Sequence, residues 1–349
     1  MRALVCRQYG PPESLALEEL PSLEPSSGEV IVAVHASGVN FTDLLSTGGR
    51  SQMRIKPPFT PGVEAAGVIK AVGKGVTTLR EGMRVFASCL YGAHAEEARF
   101  RVEEVAPLPS DMDYATGAAF FIASNTSLYA LKSRAKLRAG ETLLVIGAGS
   151  GAGLAAVEIG KALGAKVTAA ASSDEKLALA MQRGADLPCK YPSGPLDLDA
   201  QKAFCAELRS LTGGKGYSVI YDGVGGTYAE PALRAMARAG RYLAVGFAAG
   251  VPAVPLSIAL FKNADIMGIE LSDPEQREPG RNPEIVESLV KMFRDGKLKP
   301  QVTELYPLEH ATQALRQLLD RRAMGRIVLL NGRWEHAGQP RQAHHSSEG

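Results

Sequence analysis

Cysteine is scarce and scattered: Cys6, Cys89, Cys189 and Cys205 stand far apart, with no Cys-x-x-Cys among them. That spacing builds neither a disulfide framework nor a cysteine-rich zinc lobe, so reduced, buried thiols are expected. Charge of one sign is missing too: 39 Lys and Arg stand against 37 Asp and Glu without a single-sign block. Such a balance gives no footprint for nucleic acid or for an anionic membrane surface. No stretch approaches the roughly 18 uninterrupted apolar residues of a membrane span. The first strand, Arg2-Ala-Leu-Val-Cys6, comes with no signal-like segment ahead of it, which makes the cytosol the expected compartment. What the chain does have is 45% apolar content over 349 residues, enough for two domain cores.

The densest information lies between Glu141 and Lys176. An apolar strand, Thr142-Leu-Leu-Val-Ile146, runs into Gly147-Ala-Gly-Ser-Gly-Ala-Gly153, then a helical stretch to Leu163, then a second strand Lys166–Ala171 that ends at Ser172 and Ser173. Strand, glycine turn and helix in that order set bare backbone N–H groups and the positive end of a helix dipole against a pyrophosphate. A dinucleotide is therefore expected. In an NAD(H) site an Asp or Glu about 20 residues past the glycines accepts from the ribose 2′-hydroxyl. Here Ala171-Ser172-Ser173 takes that place, with Lys176 one turn on. Two hydroxyls and an ammonium suit a 2′-phosphate, so NADPH is the expected cofactor. Ser172-x-x-Glu175 also reads as a helix capping box, with Lys176 solvated, and one segment can serve both purposes.

Up to about Leu108 short alternating strands are separated by Gly and Pro, the pattern of a β-rich, barrel-like domain. From about Ala115 a helical run leads into Thr142, and strands and helices then alternate to Ile266-Met267, the pattern of a parallel sheet covered on both faces. Two amphipathic helices, Pro283–Asp295 and Leu308–Arg321, and a closing strand Arg326–Leu330 are assigned back to the first domain. The expected boundaries are residues 1–122, 123–267 and 268–332, with a frayed polar tail at 333–349.

Three constellations outside the glycine turn bear on chemistry. In Gly38-Val-Asn-Phe-Thr-Asp43, the Asn40 amide offers a donor and an acceptor to a nicotinamide ribose or a substrate carbonyl, unless Asn40 and Asp43 merely shape a turn. Glu64, framed by Gly62 and Gly67, is either catalytic or, the preferred expectation, paired with a neighbouring Arg. Thr126, placed at the start of the helix that enters the nucleotide domain, would cap it or reach the nicotinamide carboxamide.

Together, Gly38–Asp43, Thr60-Pro-Gly-Val-Glu-Ala-Ala-Gly-Val68, Leu137–Val145 and Gly151-Ala-Gly153 resemble the medium-chain dehydrogenase/reductase superfamily. Lys56–Gly62, Ala171–Lys176, Arg183-Gly-Ala185, Val245–Gly250 and Gly325–Val328 resemble its zeta-crystallin-like quinone oxidoreductase branch. The resemblance covers about Met1 to Leu330. It implies a Rossmann doubly wound parallel sheet plus a GroES-like β-barrel domain built from N- and C-terminal segments. It also implies that Asn40 and Thr126 border the nicotinamide, that Ser150, Gly151, Ala152 and Gly153 hold the pyrophosphate, and that Ser172, Lys176 and Tyr191 surround the adenosine phosphate. Val224, Gly246 and Phe247 would lie along the cofactor and Arg326 near its far side. Ser150 stands where the branch often has Gly, which makes the turn stiffer. Zinc alcohol dehydrogenases of the superfamily carry a Cys at the place of Asn40, a His at that of Val63 and a four-Cys lobe, so no metal is expected. The implied reaction is hydride transfer from NADPH to a quinone or α,β-unsaturated carbonyl, expected in the crevice between the domains. The alternatives are an enoyl thioester reductase or an NADPH-binding protein with little turnover. The loop Gly48–Pro58 has no Tyr where related enoyl thioester reductases carry their acid, and Tyr91 and Tyr129 are expected to be packing residues. A homodimer, and a mitochondrial alternative to the cytosol, follow from the resemblance alone.

Overall fold

The structure, a computed structural model, describes residues 1–51, 53–271 and 281–332. The chain divides into two compact units: unit 1 holds Met1–Ala119, Val302–Arg322 and the segment from Arg326, and unit 2 holds Phe120–Gln301 and Ala323–Gly325. Unit 1 begins with β1 (Arg2–Val5), β2 (Ala16–Glu19), β3 (Glu29–Val39), β4 (Glu64–Val72), β5 (Arg84–Ser88), β6 (Glu97–Arg101) and β7 (Val105–Pro107). Unit 2 follows with β8 (Thr142–Ile146), β9 (Lys166–Ala171), β10 (Leu187–Lys190), β11 (Tyr217–Asp222), β12 (Met236–Ala244) and β13 (Asp265–Gly268). The chain then returns to unit 1 for β14 (Val302–Pro307) and β15 (Arg326–Leu330).

In unit 2 the strand order is β10-β9-β8-β11-β12-β13, and every neighbouring pair is parallel. The order reverses between β8 and β11, the switch point at which doubly wound sheets bind ligands beyond their strand ends. Leu143 to Ile146 of β8 are buried because helices cover both faces of a central parallel strand, which explains the unbroken apolar run. The edge strand β10 had no sequence signal, since Pro188 removes a ladder donor and such a strand is tolerated only at an edge. The helix Ala229–Arg234 is short because β12 begins at Met236.

Unit 1 is built on β3. One of its edges pairs with β4, while the other pairs with β6 over Glu29–Ala33 and with β15 over Ala36–Val39. The path runs β14-β15-β3-β4-β5-β7, so the expected barrel is an open, twisted sheet with no closure among the described residues. Val30, Val32, Ile69, Val85 and Phe100 form its core.

The expected return to the first domain at residue 268 is also corrected. Helix Arg281–Arg294 belongs to unit 2 and the return comes at Val302. The helix follows its apolar stripe: Leu289 is buried, Phe293 meets Phe120 edge-on at 6.1 Å, and the partner is the helix Phe121–Leu128. The tail at 333–349, expected to fray, lies outside the described residues. No helix among the described residues is long and apolar enough to cross a membrane.

Candidate active site

The glycine turn leaves β8 at Gly147, whose φ of +81° is a left-handed conformation that favours glycine. Ser150 caps the helix Gly151–Ala162: its Oγ accepts from the Gly153 N–H at 3.1 Å and donates to the Gly147 carbonyl at 2.8 Å. That spends the hydroxyl's only proton, so Ser150 stiffens the turn while the backbone N–H groups of Gly151 and Ala152, without intrahelical partners, face outward from the helix end. A Cβ on Gly153 would sit 2.2 Å from the Gly147 carbonyl oxygen, so only glycine lets turn and helix approach this closely.

At the end of β9, the expected capping box is displaced by one residue. Ser173, not Ser172, is the N-cap of helix Asp174–Gln182, accepting from the Lys176 N–H at 3.3 Å. Ser172 is therefore spared that role. The Lys176 stem lies over the glycine turn, since a Cβ on Gly149 would fall 2.6 Å from its Cβ. Tyr191 donates its backbone N–H to Ala171 at 3.1 Å, and its ring is buried against Phe204 and Tyr228.

The next strand ends complete the cradle. Asp222 closes β11 and is buried; its Oδ1 accepts from the N–H groups of Val224 at 2.7 Å and Gly225 at 2.9 Å, and its Oδ2 from the Tyr242 hydroxyl. Burial pushes this carboxyl up, opposed by the Tyr242 hydroxyl and the two N–H groups. The Val224 side chain rests on Gly147, where a Cβ would meet its Cγ2 at 2.9 Å. The Gly246 N–H reaches the Asp222 carbonyl at 3.2 Å, and Phe247 is 41% exposed. Thus Gly147–Gly153, Ser172, Val224 and Gly246 gather beyond the carboxyl ends of one parallel sheet. The Asp222–Tyr242 pair was not read from the sequence; a strand ending in Asp before Gly223-Val-Gly-Gly226 was the available signal.

Thr126 is not at a helix start. It lies inside Phe121–Leu128, where its hydroxyl donates to the Ile122 carbonyl at 2.8 Å, so it does not cap. Its neighbour Ser127 donates to the Ala152 carbonyl at 3.0 Å, which ties this helix to the start of the glycine-turn helix.

In unit 1 the remaining residues form one buried network. Asn40 precedes helix Phe41–Thr47 and gives its Nδ2 hydrogens to the Gly38 carbonyl at 3.0 Å and to Glu64 Oε1 at 2.9 Å. Arg326 donates from Nη1 to Asn40 Oδ1 at 2.9 Å and from Nη2 to Glu64 Oε1. The expected pairing of Glu64 with an arginine is what the structure shows. Both amide hydrogens of Asn40 are spent, so it has only an Oδ1 lone pair left for a ligand: it can accept from a hydroxyl but cannot polarise a carbonyl. Burial lowers the Arg326 guanidinium to about 10, still charged at neutral pH. Asp43 accepts from the N–H groups of Asn40 at 2.7 Å and Gly62 at 3.1 Å, and His94 joins Asp43 at 3.3 Å to Ser37 at 3.0 Å. All three side chains are buried, which makes this chain a brace and not a nucleophile. Tyr91, expected to pack in a core, is 47% exposed, with its ring edge toward Phe59.

This donor set does not suit zinc. Glu64 is already neutralised by a guanidinium, a carboxamide stands beside it, and no group of three His, Cys, Asp or Glu among the described residues is arranged to hold an ion. Two family descriptions match the chain: the alcohol dehydrogenase GroES-like domain over residues 26–124 and the zinc-binding dehydrogenase over 151–287. Quinone oxidoreductase-like protein 2 of Bos taurus is 34% identical over 330 residues, covering 94% of this chain and 92% of that protein.

The chain belongs to the quinone oxidoreductase family.

This family sits within the medium-chain dehydrogenase/reductase superfamily. The quinone oxidoreductase of Rattus norvegicus is 32% identical, covering 95% of this chain and 98% of that protein. The Escherichia coli quinone oxidoreductase, solved in complex with NADPH, superposes with a TM-score of 0.86 at 27% identity, covering 95% of this chain and all of that one. The zinc named in one matching description is the group that Asn40, Val63 and Glu64 do not accommodate here.

Proposed function

We propose that this chain is a zinc-independent oxidoreductase that delivers hydride from NADPH to a quinone or another α,β-unsaturated carbonyl. The observation that carries the reading is the Lys176 stem laid over Gly149, beside a strand end that offers Ser172 and no carboxylate. The NADPH held by the Escherichia coli relative supports it. Bound NADPH supplies the hydride. The N–H groups of Gly151, Ala152 and Gly153 would hold its pyrophosphate at the helix N-terminus, and Ser172 and Lys176 its 2′-phosphate, with Tyr191 behind them. Val224, Gly246 and Phe247 would line its path toward the nicotinamide. Thr126 and Asn40 would border the nicotinamide, Asn40 as acceptor from a ribose hydroxyl, and Arg326 fixes the Asn40 amide instead of touching the reacting atoms. An enone or quinone already presents an electron-poor carbon, so positioning within about 3.5 Å supplies most of the acceleration without a Lewis acid. Solvent delivers the proton; loss of turnover in Tyr91→Phe with NADPH affinity intact would instead make that exposed phenol the donor.

NADPH oxidation against a panel of quinones, enals and enoyl thioesters tests the reading. Turnover with at least one acceptor is expected, and binding without oxidation by any of them would leave a cofactor-binding protein. For the homodimer, the support is the outer edge of β13, which no strand pairs among the described residues, together with Leu256, Leu260 and Phe261, which are 71–78% exposed. Sedimentation should show twice the 36.9 kDa chain mass, and a monomer would end that part of the proposal.

A further inference from the structure

Lys190 and Asp174 form an ion pair to which the proposed function assigns no task. Lys190 is the last residue of β10, and its Nζ lies 2.6 Å from Oδ2 of Asp174, the first residue of helix Asp174–Gln182. The pair therefore reaches from the end of one strand to the turn that leaves the next. Parallel register sets Lys190 beside Ala171, and the Tyr191 N–H donates to the Ala171 carbonyl at 3.1 Å. Neighbouring strands run about 4.8 Å apart, so a lysine stem anchored there sweeps the space in front of Ser172. Its ammonium stands on that side, at Asp174. The Lys161–Asp186 pair of the same unit differs in place: it lies at the amino end of the sheet, where Asp186 also takes the Val167 N–H at 2.7 Å.

Charge counting shows what Lys190 changes. After β9 come Ser172 and Ser173, then Asp174, Glu175 and Lys176. The Ser173 hydroxyl holds the Glu175 carboxyl below its usual range, so Glu175 carries a full negative charge at neutral pH. Two carboxylates against the one ammonium of Lys176 leave this turn net negative, which opposes a 2′-phosphate. Lys190 restores the balance from the neighbouring strand. Its pair with Asp174 is exposed, 52% and 76% for the two side chains, and an exposed pair is weak. An arriving phosphate offers the ammonium a stronger, charge-assisted hydrogen bond in exchange.

We propose that Lys190 is a second cation on the 2′-phosphate, leaving Asp174 when NADPH binds, and that it sets the preference for NADPH over NADH together with Lys176. The inference rests on the reading that seats the 2′-phosphate at Ser172 and Lys176, and adds to it a ligand from β10. Asp174 is then the opposing group: it parks the ammonium in the free protein and repels the phosphate in the bound one.

Calorimetric titration of the full chain with NADPH and with NADH tests this in the parent, Lys190→Met, Asp174→Asn and the double variant. At low salt Lys190→Met should weaken NADPH about tenfold and leave NADH within about twofold, and the loss should shrink as salt rises. Asp174→Asn should act in the opposite direction, tightening NADPH about threefold. In the Asp174→Asn background, adding Lys190→Met should still weaken NADPH by about fivefold or more, because a direct ligand is lost whether or not Asp174 is charged. A Lys190→Met loss that vanishes in that background makes Lys190 only the neutraliser of Asp174 and overturns the proposal. An NADPH-to-NADH ratio unchanged in Lys190→Met overturns it as well. Lys176→Ala separates the two levels: preference lost there and kept in Lys190→Met retains the phosphate at the end of β9 and discards Lys190, whereas no preference for NADPH in the parent discards both.

Discussion

Replacing Arg326 by Met should destabilise unit 1 by about 3–5 kcal/mol, the cost of leaving one partner of a buried ion pair without its counter-charge. Arg326 is 8% exposed and Glu64 1%, so water cannot rescue the carboxylate, and Asn40 Oδ1 loses its donor in the same step. The guanidinium stays charged at neutral pH even though burial lowers it to about 10, so the pair is intact under ordinary assay conditions. Adding Glu64→Gln to Arg326→Met removes the stranded charge, and the double variant should recover about 1–3 kcal/mol, what remains lost being the hydrogen bonds to Asn40. Native-state hydrogen exchange across β4 in increasing urea reads unit 1 separately from unit 2. A loss below about 1 kcal/mol in Arg326→Met, or a double variant no more stable than that single one, would refute the view that Arg326 is the internal counter-ion of the Asn40 and Glu64 cluster.

Lys176→Ala should weaken NADPH by tenfold to a hundredfold, since a charge-assisted hydrogen bond contributes about 1.5–3 kcal/mol, and leave NADH nearly unchanged in parallel titrations. Tyr242→Phe strands Asp222 Oδ2 in a buried site and should cost about 1–3 kcal/mol in chemical denaturation, together with weaker cofactor binding because Asp222 shapes the Val224 turn. Glu158 is pushed up to about 7 by burial, against the Lys299 N–H at 3.1 Å and Arg183 at 3.3 Å. Its folded form keeps a proton that the unfolded form, titrating near 4.5, has lost, so its stabilising effect is complete below about pH 4.5 and disappears as pH rises through 7. Glu158→Gln should therefore gain about 3 kcal/mol relative to the parent between pH 4.5 and 8 in urea denaturation, and a pH-independent difference would contradict that.

Local patterns carried most of what the sequence revealed. The run Thr142–Ile146, the turn Gly147–Gly153 and the hydroxyls after Ala171 are contiguous, so strand, turn and phosphate cradle could be read without tertiary knowledge. The cap at Ser173 in place of Ser172 is a one-residue error of the kind that backbone geometry alone settles. Long-range chemistry was less legible. Arg326 meets Asn40 and Glu64 across separations of 286 and 262 residues, and no periodicity encodes that; the expectation that Glu64 pairs with an arginine came from the cost of burying a lone carboxylate, and did not say which arginine. Helix Arg281–Arg294 was assigned to the wrong unit because its amphipathic pattern shows that a face is buried and is silent on the surface that buries it. The open sheet of unit 1 was hidden for a similar reason: alternation identifies strands, whereas closure depends on how β3 divides one edge between β6 and β15.

Isothermal titration of the protein with NADPH and, separately, NADH tests most directly whether a phosphorylated dinucleotide occupies the end of β9. Saturable binding of NADPH, at least tenfold tighter than NADH, is the predicted result, a gap of about 1.4 kcal/mol. Heats indistinguishable from dilution for both nucleotides, or tighter binding of NADH, would contradict the account.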